Sequence, residues 1–253
     1  MPAFFLSKDA VLSCYSVGRT SGLVVDCGAS GTHISPVSDG WVDARGINRS
    51  PVSARVMDEY MHFLVGARIR ATDPTAPVYP RYKVSKAVSE DPLLPAHTTY
   101  RVLDLPGVHA SYNRFAQLEL GRAIKEAVCR VSDGPLAETS PRLTGLPTTL
   151  YELPDGRAVD VGMERYAVPE PLFDPSSLPA ELHASCFGVD DVSAAPSSSS
   201  VLKSVPRLLL DSVALCEGDT QAQAALLAGV VVTGGGAMWE GLPERIRLEV
   251  RSN

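Results

Sequence analysis

Two apolar segments that each run into a glycine-rich turn lie near opposite ends of this 253-residue chain. The first, at 22–31, is GLVVDCGASG, and the second, at 230–236, is VVVTGGG. A short run of branched apolar residues is typical of a buried strand, and glycine lets the backbone approach a ligand or a neighbouring strand closely. With 32–37 (THISPV) as a hairpin partner of the first strand, the sequence predicts one α/β unit interrupted by a long insert.

The insert contains the clearest helix patterns of the chain. Segment 52–65 has helical spacing, and 111–133 predicts the best helix. An apolar stripe on one face of that second helix is formed by Leu120, Ile124, Val128 and Val131. The proline-rich stretch 71–107 predicts loops with short elements.

Two further segments have turn or loop signals. Residues 148–162 predict a hairpin around Pro154-Asp155-Gly156, because proline presets φ and glycine accepts a positive φ. The serine-rich stretch 193–200 predicts a surface loop. After the triple glycine, Pro243 suits the first turn of a final helix.

Composition excludes several classes of protein. Hydrophobic residues make up 45% of the chain and the net charge is −6, which predicts a globular protein without a dedicated nucleic-acid surface. The five cysteines include no CxxC pair, as expected of reduced thiols. The longest apolar run, 224–232, is too short to span a bilayer, and we expect a soluble protein without a signal peptide.

The first glycine turn follows Asp26, which ends the predicted strand. A carboxylate there can hold a phosphate-bound metal ion through water, although an ordinary turn is the commoner setting for such an aspartate. The second turn is neither GxGxxG nor a Walker A loop. Trp239, just after it, could stack on an aromatic ligand or fill a gap in the core, and spacing alone leaves both open.

The predicted helix at 111–133 has a charged group on the face opposite its apolar stripe. Arg122 and Glu126 are i, i+4 neighbours, with Lys125 beside them. Spacing alone favours a solvated ion-pair face. No GxSxG or HExxH motif occurs, and His33 alone is more often structural than catalytic.

Four ordered blocks resemble the actin family. VVDCGASGTHISPVSDGW (24–41) resembles its second phosphate loop, and SVGRTSGLVVD (16–26) the approach to it. YELPDGRAVDVGMERYAVPEPLFDPS (151–176) resembles a family signature, and VVVTGGGAMWEGLPERIRLEV (230–250) the adenine-side glycine loop. The resemblance implies the α/β fold shared by actin, Hsp70 and the sugar kinases, here mainly the half made of the third and fourth subdomains.

The resemblance also implies a domain division. Residues 1–52 would form the first part of the actin-like core, 53–166 an insert like the fourth subdomain, and 167–253 a second part like the third subdomain, with the serine-rich loop near 193–200. The chain would then be truncated at both ends relative to the family, through an incomplete gene model or genuine reduction.

The resemblance further assigns nucleotide-binding roles. Asp26 and Gly28 match the phosphate loop, and Gly234 and Gly235 match the adenine loop. Around the adenine and ribose stand Arg122, Lys125, Glu126 and Trp239. The implied cofactor is ATP with Mg²⁺ or Ca²⁺, the metal contacting Asp26 only through water.

Two departures from the actin pattern predict binding without turnover. Ala29 replaces the second phosphate-loop aspartate, and Asp9 stands where actin has the glutamine that positions the attacking water. Efficient hydrolysis needs an oriented water and a charge-stabilising metal site.

Subclass motifs at 1–13, 28–40, 46–54 and 172–176 resemble the nuclear actin-related proteins of chromatin-modifying complexes, of the BAF-complex actin-like type. The resemblance implies a non-catalytic nuclear subunit, with some cytoplasmic protein allowed. Its partners would be actin and a helical scaffold segment of a remodeller or acetyltransferase subunit, with chromatin contacted indirectly. The alternatives are an ATPase of the actin superfold and a cytoskeletal actin-like protein.

Overall fold

The computed structural model describes residues 4–88, 98–137, 145, 147–187, 202–216, 218 and 220–252. The predicted serine-rich loop at 193–200 lies outside them. The chain splits into two compact units. Unit 1 comprises Met1–Val56, Arg130–Thr139 and Pro169–Asn253, and unit 2 comprises Met57–Cys129 and Ser140–Val168.

The boundaries of unit 2 differ from those of the predicted insert, 53–166, mainly because residues 130–139 belong to unit 1. Within unit 1, the Val131 amide donates to the Glu240 carbonyl at 3.1 Å. The matching of the units to particular actin subdomains stays a prediction.

The strands of the described residues are β1 (Gly22–Cys27), β2 (Thr32–Ser38), β3 (Trp41–Val42), β4 (Asn48–Ser50), β5 (Val84–Val88), β6 (Thr98–Val102), β7 (Thr149–Glu152), β8 (Ala158–Val161) and β9 (Val230–Thr233). The helices are α1 (Asp9–Ser16), α2 (Ala54–Thr72), α3 (Ala110–Val128), α4 (Glu164–Ala167), α5 (Ala180–Phe187), α6 (Val205–Leu215), α7 (Thr220–Ala228) and α8 (Leu242–Ser252). Among them, no helix is both long and apolar enough to cross a membrane.

Unit 1 is built on a mixed sheet in the order β3-β2-β1-β9, with β4 also paired to β2. β1 and β9 are parallel, and β1 and β2 form the predicted antiparallel hairpin. Both strand-to-glycine predictions are confirmed, and the parallel pairing places both glycine turns at the same edge of the sheet, because both strands end there.

Helices cover both faces of the unit 1 sheet. On one face, Val24, Val37 and Val231 pack in a buried cluster against α1. The other face meets α6, whose Ser212 Oγ donates to the Gly46 carbonyl at 2.5 Å. This covering explains why β1 is an almost continuous apolar run rather than an alternating one.

Unit 2 contains most of α2, all of α3 and two hairpins. The α2 stripe that it buries is Met57, Tyr60, Met61, Val65 and Ile69. α3 packs against α2 at Gly121, where an added Cβ would overlap the Asp58 carbonyl oxygen. The β7–β8 hairpin is confirmed with Gly156 at φ +82°.

One prediction in unit 2 needs correction, and another is confirmed. Helix α3 ends at Val128 instead of continuing to 133, because Cys129 is already extended at ψ 146°. The prediction of loops with short elements at 71–107 is confirmed, and the short elements include the paired strands β5 and β6.

Candidate functional site

Asp26 lies at the end of β1 in a row of polar residues that crosses the unit 1 sheet. It is directly opposite His33 on β2, and His33 is directly opposite Arg49 on β4. Directly opposed residues of antiparallel strands project to the same face. The same edge of the sheet therefore presents a carboxylate, an imidazole and a guanidinium together.

A cavity of about 240 Å³ lies over this row, between the sheet and α1. Asp9, Asp26 and His33 all line it, so the structure brings together three residues that the sequence had singled out separately. Lys8 and Arg49 also line it and were missed, because nothing in their local sequence marks them. A water molecule occupies about 30 Å³, so the cavity has room for a phosphate group. It is smaller than the pockets of about 300 Å³ or more that enclose a complete small-molecule ligand.

Much of the backbone in the turn between β1 and β2 already forms hydrogen bonds with other backbone groups of the chain. The Gly28 amide donates to the Gly31 carbonyl at 2.9 Å, so it already has an acceptor. The carbonyls of Gly28 and Ala29 accept from the first amides of α2, at 3.1 and 3.3 Å, which satisfies two otherwise orphan helix donors. Within the described residues, the Ala29 and Ser30 amides donate no hydrogen bond, and both residues are exposed.

The second glycine turn packs closely against the end of β1. Gly234 has φ +95°, and a Cβ there would lie 2.6 Å from the Cys27 carbonyl oxygen and overlap the Asp26 carboxylate. Gly234 is thus required for packing. A Cβ on the adjacent Gly235 would meet no atom of the described residues within 4 Å, so open space adjoins this position. Trp239 is buried, with 8% of its surface exposed.

The remaining predicted residues lie on α3, in unit 2. Arg122 and Glu126 form the expected exposed pair at 2.9 Å. Lys125 differs, because only 4% of it is exposed and its Nζ lies 2.6 Å from Asp58 Oδ1 on α2. The spacing-based expectation of one solvated charged face is therefore wrong for Lys125.

Asp58 is the main functional candidate that sequence reasoning missed. Burial raises the pKa of its carboxyl, and the neighbouring Lys125 ammonium opposes that rise. In the sequence, Asp58 is one acid in a helix that also contains Glu59, so its pairing across two helices had no local signal. The predicted nucleotide residues thus fall into two sets: Asp26, Gly28, Gly234, Gly235 and Trp239 in unit 1, and Arg122, Lys125 and Glu126 in unit 2.

Metal binding has limited support from side chains. The described part of the chain has no group of three His, Cys, Asp or Glu residues placed to hold a metal ion. An indirect metal contact at Asp26, through water, needs only one carboxylate and stays a prediction. The loop-tip amides of Ala29 and Ser30 and the open space at Gly235 fit a phosphate-bearing ligand.

A mixed sheet covered by helices on both faces, with two glycine turns at one edge, defines an α/β class of protein. The family model described as Actin matches residues 1–253, and the chain belongs to the actin family. The predicted α/β actin-like fold is confirmed.

Three of the similar curated proteins are all named Actin-related protein 4. The chain is 33% identical over 251 residues to Actin-related protein 4 of Oryza sativa subsp. indica, covering 99% of this chain and 51% of that protein. It is 29% identical over 255 residues to Actin-related protein 4 of Arabidopsis thaliana, with 99% and 52% covered. It is 28% identical over 260 residues to Actin-related protein 4 of Emericella nidulans, and the match covers 98% of this chain and 52% of that protein. The chain spans about half the length of these relatives.

Proposed function

We propose that this chain is a non-catalytic, actin-related scaffold subunit of a nuclear chromatin-remodelling or histone-acetyltransferase complex. The observation that carries the non-catalytic part is the exposed methyl group of Ala29 at the tip of the β1–β2 turn. A carboxylate at that position would face open solvent beside Asp26, where it could help to hold a metal ion. Alanine supplies no such group, and Asp26 is left as the carboxylate of that turn.

The proposed ligand is ATP in a structural role, with Mg²⁺ or Ca²⁺. In unit 1, Asp26 would contact the metal through water, the turns at Gly28 and at Gly234 and Gly235 would face the nucleotide, and Trp239 would lie near the base. The ribose and adenine roles that the resemblance implies for Arg122, Lys125 and Glu126 of unit 2 stay part of the proposal, and Lys125 would have to leave Asp58 to contact any ligand. A ligand that binds only the folded chain stabilises it by mass action, by about 2.7 kcal/mol at a hundred times Kd.

The proposed partners are actin and a long helical segment of a remodeller or acetyltransferase subunit. Affinity purification of the tagged protein from nuclei, followed by mass spectrometry, tests this. Recovery of actin together with remodeller or acetyltransferase subunits is expected. Recovery without any of these subunits would count against the proposal.

An ATPase of the actin superfold is the second candidate, and the cavity favours it. Asp9 and Asp26 line one phosphate-sized space, where a carboxylate could orient a water molecule. A single-turnover assay with γ-labelled ATP separates the two candidates, with Asp26→Asn as the control variant. We expect little or no phosphate release, and release near actin's rate that Asp26→Asn abolishes would establish the ATPase instead.

A further inference from the structure

Unit 2 has a row of aromatic rings on its surface, and none of these rings is assigned to nucleotide. Tyr112 and Phe115 on α3 are 50% and 54% exposed. The ring centroids of Tyr82 and Tyr112 are 5.1 Å apart, and those of Tyr112 and Phe115 are 6.4 Å apart. Single exposed apolar side chains are ordinary, but adjoining aromatic rings on one surface are typical of binding sites.

These rings line a groove of about 480 Å³. We call it the aromatic groove and define it by Arg81, Tyr82, Tyr112, Phe115 and Leu120. A second groove of about 330 Å³, the hairpin groove, is defined by Arg81, Lys86, Tyr100, Tyr151 and Pro154. Because Arg81 and Leu120 line both grooves, the two form one continuous surface.

Neighbouring groups hold rings of both grooves in place. The Tyr82 hydroxyl donates to Asn113 Oδ1 at 2.7 Å, and the Tyr100 hydroxyl donates to Glu152 Oε1 at 2.5 Å. The Tyr100 ring also packs on Gly156, leaving no room for a Cβ there. Rings that are fixed before binding lose little conformational entropy on binding, which favours affinity.

Cations lie beside the aromatic rings of this surface: Arg81 and Lys86 line the grooves, and Lys83 adjoins them. Arg81, Lys83 and Lys86 form no ion pair with any other described residue. Lys83 Nζ lies 5.9 Å from the Tyr82 ring centroid, and Lys86 Nζ lies 5.6 Å from that of Tyr100. In a chain of net charge −6, this local cluster of cations without an ion-pair partner among the described residues can attract an acidic partner.

We propose that the aromatic and hairpin grooves together bind an acidic linear segment of a partner protein. An aromatic or leucine side chain of the segment fills the aromatic groove, and its carboxylates pair with Arg81 and Lys86. This proposal goes beyond the proposed function, because it depends neither on nucleotide nor on a particular complex.

The acidic groups of the surface favour a peptide over single-stranded nucleic acid. Glu119 lines the aromatic groove and Glu152 lines the hairpin groove. A peptide can place its few carboxylates opposite the cations and cover the rest with apolar side chains. A nucleic acid strand carries a phosphate at every nucleotide and would have to pass both glutamates.

The test uses a phage library of random peptides of about twelve residues, selected on the intact protein. The consensus peptide is then synthesised with a fluorescent label for anisotropy titration, with labelled oligothymidylate as the nucleic-acid probe. We expect enrichment of acidic peptides with an aromatic or leucine anchor and a Kd of about 1–100 μM that weakens with salt. Phe115→Ala and Arg81→Glu should each weaken binding about tenfold or more.

Matched controls in the same unit are Leu150→Ala, an exposed apolar residue on β7, and Arg70→Glu, an exposed cation on α2. Neither lines a groove, so binding should be unchanged, and equal thermal midpoints would show that all variants fold. Three results would overturn the proposal: selected peptides without acidic enrichment, equal loss in the control variants, or tighter binding of oligothymidylate than of any selected peptide.

Discussion

Among the described residues, each unit of the molecule buries one lysine or arginine, and the two cations are held differently. In unit 1 the Arg245 side chain is 1% exposed and lies 3.2 Å from Glu170 and 2.6 Å from Glu249. In unit 2 the Lys125 side chain is 5% exposed and lies 2.6 Å from Asp58. Arginine spreads five donors over a planar fork, whereas lysine is a compact point charge on a flexible stem.

Arg245 uses this fork to tie distant segments of unit 1 together. Its Nη1 donates to Ser132 Oγ at 2.8 Å and to the Gly134 carbonyl, and its guanidinium lies 4.5 Å from the Phe173 ring centroid. Lys125 instead pairs across two helices and is itself a predicted nucleotide residue. Arg245 therefore stabilises the fold of unit 1, whereas Lys125 is held by fewer contacts and is the cation that the proposed nucleotide would contact.

Removing Arg245 should have the largest effect. Arg245→Met leaves Glu170 buried without its cation and breaks the contacts to Ser132 and Gly134, so we expect a loss of about 3–5 kcal/mol in the free energy of unfolding. Urea denaturation measures it, with Arg251→Met at the exposed end of α8 as the control. A loss no greater than that of the control would show that Arg245 is not a structural tie.

Removing Lys125 should cost less, because its partner Asp58 retains 13% side-chain exposure. For Lys125→Met we expect a loss of about 2–3 kcal/mol, and Asp58→Asn in the same chain should recover part of it. The double-mutant cycle in urea gives the coupling energy. Strictly additive losses would mean that the pair contributes nothing and would remove the contrast between the two units.

Substitutions at the two neighbouring glycines of the second turn test whether unit 1 is as tightly packed at the end of β9 as it is around Arg245. Gly234→Ala places an alanine at a positive φ and makes its Cβ clash with the Cys27 carbonyl oxygen. We therefore expect a loss of about 1–3 kcal/mol in the free energy of unfolding. Gly235→Ala should change stability by less than about 0.5 kcal/mol, because its Cβ meets open space. Thermal unfolding of both variants decides this, and equal losses would contradict it.

The pH dependence of the Lys125–Asp58 pair should be the smallest effect. Burial raises the pKa of Asp58 above its ordinary 3.8, so the folded chain holds this proton more tightly than the unfolded chain. The associated stability is present below about pH 4 and is lost as the pH rises through the folded-state pKa. The stability gap between the wild type and Asp58→Asn should therefore narrow as the pH rises from the ordinary carboxyl pKa through the raised pKa of the folded state.

Urea midpoints of both proteins across that range measure this gap. Subtracting the unfolding free energy of Asp58→Asn from that of the wild type at each pH cancels the contributions of other carboxyls. One of these is Asp43, whose pKa is lowered by its hydrogen bonds with Arg45. A gap that widens with pH would mean that attraction to Lys125 outweighs burial at Asp58.

Much of the fold could be predicted because its signals are local. The strand at 22–27, its hairpin partner, the 149–161 hairpin and the final helix all follow from runs and turns of fewer than twenty residues. Strands β5 and β6 were predicted only as short elements of unspecified type, because weak alternation and nearby prolines leave no strong local pattern. The end of α3 was misplaced because the apolar spacing continues to Val131, whereas the backbone turns away at Cys129.

The site divides in the same way. By itself the sequence determined that Asp26 lies near the end of a buried strand, that glycines follow β1 and β9, and that Ala29 supplies no second carboxylate. These facts depend on residue identity and short spacing. Only the tertiary structure decided that Asp9, His33 and Arg49 share a cavity with Asp26, and that Lys125 is buried against Asp58. Such contacts join separate strands or helices, and their energies arise from burial and charge pairing that no short stretch of sequence encodes.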